Sequence, residues 1–159
     1  MSRIPSLGPR GEGWVALQLV LLAAIAVSAI GAGVPVSGSV EAAAMAVGFV
    51  VLVGGLAIFG LGIAALGSSL SPLPAPIPTG VLVDRGVYRF MRHPIYTGLV
   101  VAAVGGSIYA VSPLALGLTV VLAVVLDLKS RREEAWLRER FVGYAAYAAR
   151  TKRFVPGLY

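Results

Sequence analysis

The chain has 159 residues, 58% of them hydrophobic and only 13% charged, with a mean hydropathy of +0.89; a soluble globular domain carries about 25% charged residues, so the composition excludes one. With no cysteine and a single histidine, His93, disulfides, thiolate metal sites, iron–sulfur clusters and a multi-histidine zinc site are ruled out, and no metal is expected. Thirteen Lys+Arg against seven Asp+Glu give a net charge of +6 and a pI near 10.2, a balance shared by nucleic-acid binders and membrane proteins.

Trp14 to Val34 holds no charged residue, and beyond a short break at 34–39 a second uncharged run extends from Ala42 to Gly67. At 21 and 26 residues both exceed the roughly 20 that cross a hydrocarbon core. The first is too long for the apolar region of a signal peptide and is followed at once by another span, so it reads as retained. Two shorter apolar runs, Ile95 to Val111 and Leu114 to Leu126, meet at Ser112-Pro113 and predict a helical hairpin. Even counted to Leu128, the last arm has 15 residues, about 22 Å at 1.5 Å per residue. Either the hairpin dips partway into the membrane or its helices run on into the polar flanks.

The basic residues divide as two before the first span, three between Gly67 and the hairpin, and eight after Leu126. Four crossings put all of them on one face, which the positive-inside rule makes cytoplasmic, with both termini. The predicted fold is therefore all-α, an integral membrane helical bundle of about four transmembrane segments with a cytoplasmic C-terminal amphipathic helix. A single domain covers 1–159: two N-terminal spans (14–67), a proline-rich linker (68–86) and a polar half (87–159). The basic pI becomes a topological signature, and nucleic acid is not an expected partner.

Gly48, Gly55 and Gly62 recur every seven residues and line one side of the second span, where another helix can approach closely; a second copy of the chain could use this face. Gly60 to Ala65 fits G-x-G-x-x-A but lacks the strand and βαβ unit that give this motif its mechanism. Neither long span carries Asp, Glu, Lys, Arg or His, so no proton relay or ion path of the usual kind is visible.

Proline occupies every second position from 72 to 78, predicting a stiff, extended connector on the membrane surface. Val81 to Gly86 reads as a short extended piece ending in a turn. The densest polar cluster follows, Tyr88-Arg89-Phe90-Met91-Arg92-His93-Pro94-Ile95-Tyr96-Thr97-Gly98. An interface belt of Arg and Tyr is the plain reading, yet His93-Pro94 sets the imidazole at a helix start, where free N–H groups favour an anion. A second cluster, Lys129 to Phe141, continues the last apolar run. Lys129 and Glu133 stand one turn apart at the level of His93, and Leu137, Phe141, Tyr144 and Ala148 recur as one helical face. The tail Arg150 to Pro156 is a basic patch suited to anionic membrane lipids.

Together, Leu82-Val83, Gly86-Val87-Tyr88, Arg92-His93-Pro94-Ile95-Tyr96-Thr97-Gly98, Glu133-Glu134 with Leu137 and Phe141, and Arg153-Phe154-Val155-Pro156 resemble the isoprenylcysteine carboxyl methyltransferase family. That family has many bacterial relatives and is similar in plan to phospholipid N-methyltransferases. The resemblance covers Leu82 to Pro156 and implies a transferase embedded in a membrane, for a bacterial relative the inner one, that takes S-adenosylmethionine into a pocket between the hairpin, the extended piece and the C-terminal helix. Its cofactor contacts would fall on Gly80, Val81, Leu82, Val83, Tyr88, His93, Pro94, Ile95, Tyr96 and Glu133. Lys129 stands where the family often has an arginine tied to the substrate carboxylate, and lysine lacks that bidentate geometry. Val142 stands where many relatives have glycine, and Tyr144 and Tyr147 are each one position early.

A sulfonium donor is already activated, so alignment of the acceptor is the main requirement. A carboxylate or thiolate acceptor needs a cation, for which Arg92 and Lys129 are the candidates. An amine needs a proton acceptor such as Glu134 or His93. The expected catalytic residues are thus Arg92 and Glu134, with Lys129 and Arg92 binding a lipid-like substrate. Alternatives are a phospholipid or small amine or thiol methyltransferase, a membrane reductase of the sterol-reductase kind, and a non-catalytic scaffold subunit.

Overall fold

A computed structural model describes residues 4–159; Arg3, counted above with the N-terminal basic residues, lies outside them. The described residues form α1 (Glu12–Gly31), α2 (Ser39–Leu66), α3 (Pro94–Tyr109), α4 (Pro113–Arg140) and α5 (Tyr144–Arg150), with short 3-10 turns at Gly67–Ser69 and Gly86–Arg89 and no strand among them. By length and apolarity α1, α2 and α4 are each able to cross a membrane, whereas α3 has 16 residues, about 24 Å. The all-helical membrane bundle expected above is what is seen, with three helices of spanning length in place of about four.

Side-chain packing joins α1 to α4. Trp14, Leu21 and Ile25 are buried against Ala115, Leu122, Val125 and Leu126. The α3–α4 turn then locks to the end of α1: the Val34 N–H donates to the Val111 carbonyl at 2.9 Å. Ser112 caps α4 by accepting from the Ala115 N–H at 3.3 Å, while its hydroxyl reaches the Ser28 carbonyl at 3.1 Å. The α1–α2 and α3–α4 connections therefore sit at one end of the bundle, opposite the polar clusters.

Backbone-to-backbone packing joins α2 to α3. A methyl group on Gly55 would lie 2.8 Å from the Gly98 carbonyl oxygen, and one on Gly48 2.8 Å from that of Gly105. Glycines on both helices thus oppose each other in antiparallel register, which lets the helices close without intervening side chains. The glycine stripe expected to receive a close helix is filled by α3 of the same chain. Outward-facing Phe49, Val50, Val53 and Leu56 leave an apolar exterior on α2, as a lipid-facing helix requires.

Two further expectations change. The last helix runs unbroken for 28 residues, Pro113 to Arg140, about 42 Å, so the hairpin arm does continue into its polar flank. It does not continue to Ala148: Phe141 is extended (φ −118°, ψ 113°), and Tyr144 starts a separate helix that turns back with Tyr144 and Tyr147 buried. The proline-rich segment is also more than a surface connector. It returns to the bundle, where the Ala75 N–H donates to the Arg10 carbonyl at 3.2 Å and Arg140 donates to the Pro78 carbonyl.

A candidate active site between the linker and five helices

At the polar end these elements enclose a cavity of about 290 Å³, near the lower bound of small-molecule sites. The linker (Leu70 to Val83) forms one wall; Phe59, Ile63 and Leu66 of α2 form another; His93, Ile95, Tyr96 and Leu99 of α3 face Lys129, Glu133 and Leu137 of α4. Tyr88, Tyr144 and Tyr147 line the far side, and α1 adds Gln18.

His93 is the N-cap of α3 with Pro94 at its first turn. The backbone N–H groups of Arg92 and His93, just before the first turn of α3, donate to the Lys152 and Arg153 carbonyls at 2.8 and 3.0 Å. Thr97 adds a bond from its hydroxyl to the Phe154 carbonyl at 3.1 Å. The C-terminal segment is thus strapped across the start of α3, and this strap holds the His93 ring between Tyr96, stacked at 5.3 Å and 2°, and Phe154 at 5.8 Å.

The two adjacent glutamates part company because successive helical residues point about 100° apart. Glu133 faces the cavity, accepts a 2.7 Å hydrogen bond from the Tyr96 hydroxyl, and has His93 Nδ1 at 3.9 Å. Glu134 is buried on the other side of His93. There it accepts from Arg92 Nε at 2.9 Å and Arg153 Nε at 3.1 Å, with His93 Nε2 at 3.3 Å. Arg92 also donates to the Ala148 carbonyl at 3.0 Å and to that of Thr151, so it ties α5 and the strap to α4 while one edge lines the cavity.

Lys129 is 3% exposed. Its ammonium donates to Gln18 Oε1 at 2.6 Å and sits 4.9 Å from the Tyr96 ring centroid. The Tyr147 hydroxyl donates to the Tyr88 carbonyl at 2.8 Å, and burial pushes its pKa up to about 12, so it remains a donor at neutral pH. Burial likewise raises the Tyr88 phenol, helped by the negative charge of Glu133. The buried Tyr144 hydroxyl has no hydrogen-bond partner among the described residues, an orphaned polar atom on a cavity wall.

Of the residues singled out from the sequence, Gly80 to Val83, Tyr88, Arg92, His93, Ile95, Tyr96, Lys129 and Glu133 all line this one cavity. Pro94 and Glu134 do not. Glu134, expected as a general base, has two guanidinium groups on its carboxylate and lies outside the cavity lining. Sequence reasoning missed the linker wall and Gln18. The signal for Gln18 was present, since it is the only side-chain amide in the chain and lies in the first apolar run.

A membrane helical bundle with a part-polar, part-apolar chamber at one end is the class these features define. The sequence model of the phospholipid methyltransferase family matches residues 43–143, and the chain belongs to that family. A probable protein-S-isoprenylcysteine O-methyltransferase of Oryza sativa subsp. indica is 36% identical over 77 residues, covering 47% of this chain and 40% of that protein. Protein-S-isoprenylcysteine O-methyltransferases B and A of Arabidopsis thaliana are 35% and 36% identical over 77 residues, covering 39% of each. The match thus spans about two fifths of the length of these curated relatives.

Proposed function

We propose that the chain is a membrane methyltransferase that takes S-adenosylmethionine into this cavity and methylates a lipophilic acceptor, of the prenylcysteine carboxylate type, at the basic and cytoplasmic end of the bundle. The observation that carries the reading is the grouping of Glu133, bonded to Tyr96, with stacked His93 and the unpartnered Tyr144 hydroxyl in one chamber whose opposite wall is apolar.

The residues present suit the donor. Glu133 offers a carboxylate to ribose hydroxyl or ammonium groups, the tyrosine faces and the Val81 to Val83 segment offer flat apolar surfaces to a purine, and Tyr144 has a hydroxyl to satisfy. When bound, the sulfonium supplies an activated methyl group that needs no nucleophile or metal from the protein. What the chain contributes is placement. The strap and the Arg92–Glu134–Arg153 network hold His93 and Tyr96, Tyr96 orients Glu133, and the linker covers the chamber against water. Phe59, Ile63, Leu66 and Leu99 give an acceptor's chain an apolar surface continuous with the lipid-facing helices. A carboxylate acceptor fits this inventory because it gives up no proton and meets Arg92 and Lys129, whereas Glu134 is not placed to take the proton of an amine.

Titration calorimetry with S-adenosylhomocysteine tests the reading: binding is expected for the parent chain and a marked loss for Glu133→Gln and His93→Ala. Equal affinity in all three proteins would remove the donor from this cavity.

A further inference from the structure

We infer that a second cavity, adjoining the candidate active site through Arg92, is a binding site for the phosphate of an anionic membrane lipid. The inference goes beyond the methyltransferase reading and does not rest on it. The cavity, of about 300 Å³, is lined by the end of α5, by the strap at Thr151 to Arg153, by Leu158 and by Arg92. Arg92 also lines the first cavity, so one guanidinium is shared by the two. Every other lining residue lies beyond the matched region 43–143, and the family match assigns them nothing.

Charge and donor counts define the ligand. Arg92 and Arg153 share Glu134, Arg153 also meets Asp127, and Arg150 pairs with Asp84. Glu134 and Asp127 are divided further with Arg138 and Arg131, so three carboxylates serve five guanidinium groups. Lys152 adds a cation to the same lining, and among the described residues no carboxylate lies within 4.0 Å of its ammonium. Unspent donors remain as well. Arg92 uses Nε on Glu134 and Nη1 on the Ala148 and Thr151 carbonyls, which leaves Nη2, and Arg150 uses only Nη2. Three cations thus offer spare N–H groups to one space. A carboxylate has two oxygens to give them, whereas a phosphate is tetrahedral and accepts from several directions at once.

Height decides the source of that phosphate. Pro113 begins α4 and Glu134 lies 21 positions further on, about 31 Å, where a hydrocarbon core of about 30 Å gives way to headgroups. Arg92 and Arg153, both bonded to Glu134, stand at that level. Leu158, on the same lining, is 79% exposed, an apolar surface that suits the glycerol and first methylenes of a lipid and offers nothing to a free phosphate. Basic pockets at this depth, on the side rich in Lys and Arg, draw acidic headgroups.

Microscale thermophoresis on the purified full chain in an uncharged detergent tests the site with three probes: dioctanoyl phosphatidylglycerol, dioctanoyl phosphatidylcholine and glycerol 3-phosphate. Phosphatidylglycerol should bind about tenfold more tightly than phosphatidylcholine, whose choline cation opposes the lining. The double substitution Arg150→Gln, Lys152→Gln should weaken phosphatidylglycerol about tenfold or more, as lost charge-assisted bonds imply. The charge-matched pair Arg85→Gln, Arg89→Gln lies outside the lining and should change it by less than about twofold, because solvent screens separated charges. Unfolding midpoints are measured for both. If the first pair does not fold, Lys152→Gln alone, whose ammonium holds nothing in the fold, should still cost about fivefold. Equal losses in the two pairs mean diffuse surface charge and overturn the site, as does undiminished binding in the cavity variants or equal affinity for the two lipids. Glycerol 3-phosphate binding as tightly as phosphatidylglycerol overturns the lipid assignment.

Discussion

The α2–α3 and α1–α4 interfaces solve the same problem in opposite ways. In the first, glycines on both helices let backbone meet backbone, and nothing polar intervenes. In the second, large side chains fill the gap along most of its length, and at the basic end the packing gives way to Gln18, Lys129 and a cavity. A membrane bundle has no hydrophobic driving force between helices, so the close glycine contact is what fixes α3. That contact, together with the strap, sets His93 and Tyr96 to within a hydrogen bond of α4. Rigidity on one side of the molecule thus makes an open, polar space on the other side possible.

The sharpest way to break this division is Glu134→Ala, which leaves the half-buried Arg92 without a carboxylate and Arg153 with only Asp127, at 3.2 Å. Thermal unfolding in detergent should show a loss of about 3–5 kcal/mol, the usual cost of orphaning one side of a buried pair. Its neighbour is the contrast: Glu133→Gln should leave unfolding nearly unchanged. A stable Glu134→Ala protein would mean that the strap is held by its backbone bonds alone.

Next in size is Gly55→Val, whose Cβ would press on the Gly98 carbonyl. Overpacking of this kind costs about 1–3 kcal/mol, and unfolding should report it, whereas Gly54→Ala, with nothing within 4 Å of the added methyl, should be neutral. If the two variants behave alike, the glycine contact does not set α3.

For the polar side, Glu133→Gln should weaken S-adenosylhomocysteine by about 10- to 150-fold, the worth of about 1.5–3 kcal/mol in charge-assisted contacts, read by calorimetry. Tyr96→Phe removes only the bond that orients Glu133 and should cost about tenfold or less. The smallest effect belongs to the end remote from the site. Ser112→Ala removes a helix cap worth about 1 kcal/mol and should lower the unfolding midpoint while leaving ligand affinity untouched, which separates fold from site.

Much of this was legible in the residues. Uninterrupted apolar runs marked α1 and α2, Ser112-Pro113 marked the hairpin turn, and His93-Pro94 marked the start of α3. The polar clusters that line the cavity were visible as clusters, because charged residues cannot be scattered through lipid-facing helices and so gather at the ends. Less was legible where an outcome depended on which surface meets which. The seven-residue glycine spacing announced a close contact but not its partner, which is α3 of the same chain. Glu133 and Glu134 were adjacent letters with similar prospects until the direction of α4 turned one into the cavity and the other into the arginines. Nothing in the letters around His93 showed that the carbonyls of residues 152–153 would come to lie beside the Arg92 and His93 N–H groups.

Length, apolarity and charge placement by themselves determined that this chain is a helical membrane protein with its polar groups collected at one end, since these follow from the cost of dehydrating peptide and charged groups one segment at a time. Contacts between segments far apart in sequence decided the rest: that a proline-rich linker walls a cavity, that the C-terminus straps His93, and that Gln18 sits against Lys129 across 111 positions. Those contacts depend on helix rotation and shape complementarity, which are set by the whole bundle at once and leave no periodic trace in any one stretch of sequence.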